Sequence, residues 1–112
     1  MAAGSTPFDL SVAEEPDTVV ITVSGELDLA TAPELREACT NAVRSSAGTV
    51  RIDVGGLTFL DSSGLSVLVE THRELEGRSA SLVLHHVTDR TRRVLDVAGL
   101  GDFFTHSDQP VR

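Results

Sequence analysis

Short runs in which apolar residues recur at every second position alternate along this chain with longer runs in which they recur every three to four. That alternation of periods restricts the fold more than any other feature, because a two-residue repeat suits only a half-buried strand and the longer repeat only an amphipathic helix. Phe8, Leu10 and Val12 form the first strand-like run; Glu15-Pro16-Asp17 supplies turn chemistry; Thr18–Ser24 follows, with Val19, Ile21 and Val23 facing one way and Val20, Thr22 and Ser24 the other. Two strands joined so tightly make an antiparallel hairpin. Thr31-Ala32-Pro33-Glu34 then reads as a capping box with proline in the first turn, and Leu35, Ala38, Cys39, Ala42 and Val43 share a helical face that ends before Gly48.

The pattern repeats. Thr49–Val54 is a strand, Gly55–Thr58 a loop, and a helix runs from the Asp61-Ser62-Ser63-Gly64 segment to about Leu75, with Leu65, Leu68, Val69, His72 and Leu75 as its inner stripe. Ala80–His85 is a further strand. Thr88 or Asp89 caps a last helix with Thr91, Val94, Leu95 and Ala98 inward and Gly99 at its end. The order β-β-α-β-α-β-α implies an α/β fold: a mixed sheet of four to five strands with helices packed mainly on one face. The 112 residues suit one domain, with a core at about 8–104 and flexible ends at 1–7 and 105–112.

Charge removes several functions. Nine basic residues against seventeen acidic ones leave a net charge of −8, which disfavours direct nucleic-acid binding and anionic membrane surfaces. Every basic residue is an arginine, so a phosphate-loop lysine, a Schiff-base lysine and a Ser-x-x-Lys nucleophile are excluded. A single cysteine, Cys39, allows no internal disulfide and no cysteine-based zinc site; it reads as a small buried hydrophobe. No signal peptide or membrane helix is expected, which makes the chain a cytoplasmic domain needing no cofactor.

The segment with chemistry in it is Asp61-Ser62-Ser63-Gly64, where an apolar approach gives way to a helix. Ser62 suits the N-cap, which leaves Ser63 in the first turn near the surface with uncrowded space beside Gly64. A phosphoryl group there meets the positive end of the helix. On these residues alone the tetrapeptide reads either as such a site or as two ordinary capping serines. A catalytic serine fits poorly: the surroundings are not Gly-x-Ser-x-Gly, and spacing identifies no base, so the chain is not read as an enzyme.

Gly25-Glu26-Leu27-Asp28, Phe59-Leu60-Asp61-Ser62-Ser63-Gly64-Leu65, and Arg92-Arg93-Val94-Leu95 with Ala98-Gly99-Leu100 together resemble the STAS family over about Phe8 to Phe104, and within it the bacterial anti-sigma-factor antagonists. The resemblance implies a STAS-like fold and a protein that binds an anti-sigma-factor serine kinase when unphosphorylated, releasing a sigma factor. It also implies that the kinase phosphorylates Ser63 to end that binding, and that a metal-dependent phosphatase restores it. Asp61 flanks the acceptor, and Asp28 lies in a loop near the same end of the sheet. The same family also contains constitutive subunits of lipid-transport and stress-signalling assemblies, which would need no phosphoswitch.

Helical spacing extends the expected partner surface from Asp28, Asp61, Ser62, Ser63 and Gly64 to Val67, Glu70 and Thr71, three to eight residues beyond Ser63, with Glu26, Leu29 and Thr31 completing it. His72 reads as a packed or boundary histidine, and Arg90, Arg92 and Arg93 as a solvated face. His85-His86 would need a further ligand to hold a metal, and no spaced set in the sequence supplies one.

Overall fold

The computed structural model describes residues 7–106. Five strands, β1 (Asp9–Glu15), β2 (Thr18–Leu27), β3 (Thr49–Leu60), β4 (Ser81–His85) and β5 (Thr105–His106), lie in one sheet in the order of the chain. Three helices connect them: α1 (Ala32–Arg44), α2 (Ser62–Glu76) and α3 (Asp89–Val97). β1 and β2 are the antiparallel hairpin, turned at Asp17 with φ 58°; every later neighbour is parallel. Parallel crossovers share one hand, so a sheet built in sequence order collects its helices on one face. Burial agrees. Val19, Ile21 and Val23 of β2, Val50, Ile52 and Val54 of β3, and Leu82 and Leu84 of β4 are buried, whereas their alternating neighbours are half-buried or exposed.

The core closes with Leu35, Cys39 and Ala42 of α1, Leu65, Leu68 and Leu75 of α2, and Leu95 of α3. Cys39 is the small buried hydrophobe its stripe implied; burial pushes its thiol up to about 11, against a Thr71 hydrogen bond that pulls the other way. Phe104 is buried, and Phe103 packs its ring 4.6 Å from that of His72, which is the packed boundary histidine expected from its helical position. Arg90 donates to the Thr58 carbonyl at 2.7 Å and Arg92 contacts His106 Nδ1 at 3.0 Å, so two members of the expected solvated face have structural partners.

Three differences from the sequence reading have physical causes. β3 does not stop at Val54: it runs through Gly55-Gly56 to Leu60, taking up two one-residue shifts against β2. Gly56 makes this possible, since a Cβ there would stand 2.7 Å from the Ser24 Cβ. β2 likewise continues to Leu27 through Gly25, held at φ +87° with the backbone of Pro7 and Phe8 against it. Thr105–His106, expected within a flexible end, instead pair with Val83 and Leu84 as β5. Pro7, also expected within a flexible end, has its backbone against Gly25, and 1–6 and 107–112 lie outside the described residues.

Candidate functional site

The extension of β2 and β3 brings two loops to the same end of the sheet. Leu27 pairs with Leu60, and the Asp61 N–H donates to the Leu27 carbonyl at 3.3 Å, so the start of α2 is tied to the end of β2. Asp61 is extended (φ −120°, ψ −171°), and its carboxylate accepts the Ser63 N–H at 2.9 Å. Asp61 is therefore the N-cap, not Ser62, and α2 begins at Ser62. Aspartate and serine cap equally well, so the choice falls to the Leu27 bond that holds Asp61 in an extended conformation. Ser62 is exposed and Ser63 half-buried, both in the first turn with the positive helix end beneath them.

The cap has a measurable weight. Asp61→Ala leaves the Ser63 N–H without its partner and is expected to cost about 1 kcal/mol, lowering Tm by about 5 °C in thermal unfolding. Asp61→Asn keeps the cap and is expected to unfold close to wild type.

Asp28 organises the neighbouring loop. Its carboxylate accepts the N–H groups of Ala30 at 3.0 Å and Thr31 at 3.2 Å, while its carbonyl accepts the Ala32 N–H at 2.8 Å. The Thr31 hydroxyl donates to the Glu26 carbonyl at 2.8 Å and accepts from the Asp28 N–H at 2.9 Å. It is thereby used up within the loop, and the capping box expected with Glu34 does not form. This knot leaves Leu29, 77% exposed, projecting at the same end of the sheet where Phe59 of β3 is 47% exposed. Phe59 was not among the residues expected in the surface: it belongs to the apolar approach to Asp61, and it lies where the β2–β3 register shifts at Glu26.

Three expected contact residues are not presented to solvent. Gly64 is buried, and a Cβ on it would lie 2.6 Å from Leu27 Cγ and 2.8 Å from Leu60 Cδ1, so glycine serves close packing inward instead of clearance outward. Val67 is 1% and Thr71 2% exposed, and the Thr71 hydroxyl donates to the Val67 carbonyl at 2.8 Å. The cause is α1, which packs on the flank of α2, so α2 buries two adjoining faces and its apolar arc is wider than one stripe. Glu70 does lie at the surface, paired with Arg36 of α1; with Thr40, Arg73 and Glu74 they rim a groove of about 390 Å³ floored by Val67 and Thr71. The expected residues that do reach the surface at the α2 end are thus Glu26, Leu29 and Ser62, with half-buried Asp28, Thr31, Asp61 and Ser63, joined by Phe59 and, farther along the helix, Glu70.

Among the described residues no helix is long and apolar enough to cross a membrane. The family model described as "Mlab, STAS domain" matches residues 10–105. The anti-sigma-B factor antagonist of Listeria monocytogenes is 35% identical over 88 residues, covering 79% of this chain and 77% of its own. An anti-sigma factor antagonist from Mycobacterium paratuberculosis superposes with TM-score 0.82 at 30% identity, over 94% of this chain and 91% of its own. The antagonist SpoIIAA has been solved both unphosphorylated, with TM-score 0.74 at 29% identity over 92% of this chain and 90% of its own, and phosphorylated, with TM-score 0.69 over 92% and 93%. The matched length, the five-stranded mixed sheet and the relatives agree, and the chain belongs to the STAS-domain family, alongside anti-sigma-factor antagonists.

Proposed function

We propose that this chain is an anti-sigma-factor antagonist switched by phosphorylation of Ser63. Unphosphorylated, it binds an anti-sigma-factor serine kinase and thereby releases a sigma factor; phosphorylated by that kinase, it lets go, and a metal-dependent phosphatase returns it to the binding form. It acts as a ligand and substrate in the cytoplasm and not as a catalyst, without contacting nucleic acid or membrane.

The observation that carries this reading is the surface around Ser63. A hydroxyl in the first turn of a helix, at the same end of the sheet as an exposed leucine and phenylalanine, combines a modifiable group with apolar area of the kind that partners bury. Support also comes from SpoIIAA, a relative of this chain whose structure is known in both phosphorylation states. The partner contacts assigned on this reading are Asp28, Asp61, Ser62, Ser63 and Glu70, joined by Leu29 and Phe59; Gly64, Val67 and Thr71 act from beneath by fixing α2 in place. Incubation of the chain with ATP and source-cell lysate is expected to add one phosphate that mass spectrometry maps to Ser63 and that Ser63→Ala abolishes. Phosphate found only elsewhere, or none, would count against the switch and favour a constitutive assembly subunit, such as one in a lipid-transport or stress-signalling complex.

A further inference from the structure

On the sheet face turned away from the helices, Asp53 of β3 is registered opposite His85 of β4, and His86 follows directly. The sequence separates this carboxylate from the histidine pair by 32 residues; the parallel register removes that separation. One ligand atom from each of Asp53, His85 and His86 lies within 4.8 Å of the others. His86 Nδ1 is 3.0 Å from Asp53 Oδ2, and the two imidazole rings are 3.8 Å apart.

The arrangement is held by the backbone. His86 sits at φ 59°, a left-handed conformation uncommon for residues other than glycine, and its Cβ lies over Gly55 at the end of the β3–β4 pairing. Gly55 provides the space: a Cβ there would stand 2.8 Å from the His86 Cβ. The other Asp53 oxygen, Oδ1, accepts the Gly55 N–H at 2.9 Å and is thereby oriented. Partial burial would raise the Asp53 carboxyl, but the Gly55 N–H and the His86 imidazole outweigh it and hold the group below the ordinary carboxylate value. A carboxylate oriented by an amide, beside two imidazoles, is a set of donors whose positions are partly set in advance.

We propose that Asp53, His85 and His86 form a binding site for a divalent transition metal of the zinc class. Two imidazoles and one carboxylate match the preference of zinc and its first-row neighbours, while magnesium and calcium require more oxygen ligands. Ligand atoms around a tetrahedral zinc stand roughly 3.4 Å apart at bond lengths of about 2.1 Å. The half-exposed His86 reaches that spacing by side-chain rotation, offering Nδ1 to the metal in the tautomer that carries the ring proton on Nε2. Three protein ligands leave the fourth position open to water or a donor from another molecule. The site lies on the sheet face opposite that covered by α2, so it is separate from the Ser63 surface and independent of its reading.

The test uses the complete, tag-free chain, titrated with zinc by calorimetry and with cobalt by visible absorption. One saturable equivalent is expected. In imidazole-detected NMR of the wild type, zinc is expected to shift His85 and His86 and to leave His72 in place. Asp53→Asn and His86→Ala should each weaken zinc binding at least about tenfold, the scale on which single supporting groups act at metal sites, whereas His72→Ala should not. Absence of saturable binding in the wild type, affinity unchanged in both variants, or shifts confined to His72 would overturn the proposal; the wild-type NMR result stands even if a variant fails to fold.

Discussion

Gly64→Val is expected to lower the stability of the domain by about 2 kcal/mol and its Tm by about 10 °C. Valine at this position gains a few tenths of a kcal/mol in helix propensity over glycine. Against that gain stands the packing: the added Cβ meets Leu27 Cγ, a branch point of a side chain with no exposure, and Leu60 Cδ1 on the other side. Neither leucine can turn away without losing contacts of its own, and forcing extra carbons into a filled core costs about 1–3 kcal/mol, sometimes more. The overpacking term wins. Thermal or urea unfolding checks the prediction, and a Tm within 2 °C or so of wild type would mean that the start of α2 is not clamped between β2 and β3. The consequence for function is indirect: the same clamp sets where Ser62 and Ser63 stand.

A phosphoryl group on Ser63 is expected to weaken partner binding roughly a thousandfold while leaving the fold almost unchanged. The two effects follow from different magnitudes. Within the free chain, the added charge of about −1.5 to −2 sits at the positive end of α2, which favours it by up to about 1 kcal/mol. The Asp61 carboxylate already occupies the Ser63 N–H and repels the newcomer, so the terms largely cancel. Inside an interface the balance changes, because the charge must leave water beside Asp61 in a chain of net charge −8. Burying an uncompensated charge costs several kcal/mol, and about 4 kcal/mol is a factor of about a thousand in Kd. Calorimetry of the purified kinase partner with each form measures this directly. Phosphorylation that leaves Kd within about threefold would contradict the electrostatic account, and a phosphorylated form that unfolds would replace it with a structural one.

The alternation of periods made the helices and the hairpin legible, because each reports whether a residue faces one neighbour or solvent. It misled wherever an element has a second neighbour. Val67 and Thr71 lie off the stripe that faces the sheet, yet α1 covers them, and no local pattern in α2 announces α1. Phe59 shows the converse: an apolar residue in an apolar approach lies exposed beside a register shift that only the β2–β3 pairing defines. Gly55-Gly56 carried the composition of a loop and became strand, because close approach of β2 at Gly56 and of His86 at Gly55 needs the missing side chains. Two-residue β5 is too short to carry any period.

At the site itself, the Asp61-Ser62-Ser63-Gly64 segment was legible as a helix start at the end of the sheet, since capping chemistry is local. Which residue caps was not, because aspartate and serine are equivalent there until a tertiary bond to Leu27 selects one. The cluster of Asp53, His85 and His86 lies wholly beyond local reading: a strand register creates it, and the sequence shows only a histidine pair in need of a third ligand.

The central claim is that the Ser63 surface holds a kinase only while Ser63 carries no phosphate. A pull-down from source-cell lysate in the presence of ATP, with wild type, Ser63→Ala and Ser63→Asp as baits and mass spectrometry as the readout, tests it most directly. The account predicts that Ser63→Ala retains an ATP-binding serine kinase of the anti-sigma type and that Ser63→Asp loses it. Recovery of the same partners by all three baits would contradict the account and make the chain a constitutive subunit of whatever assembly those partners define.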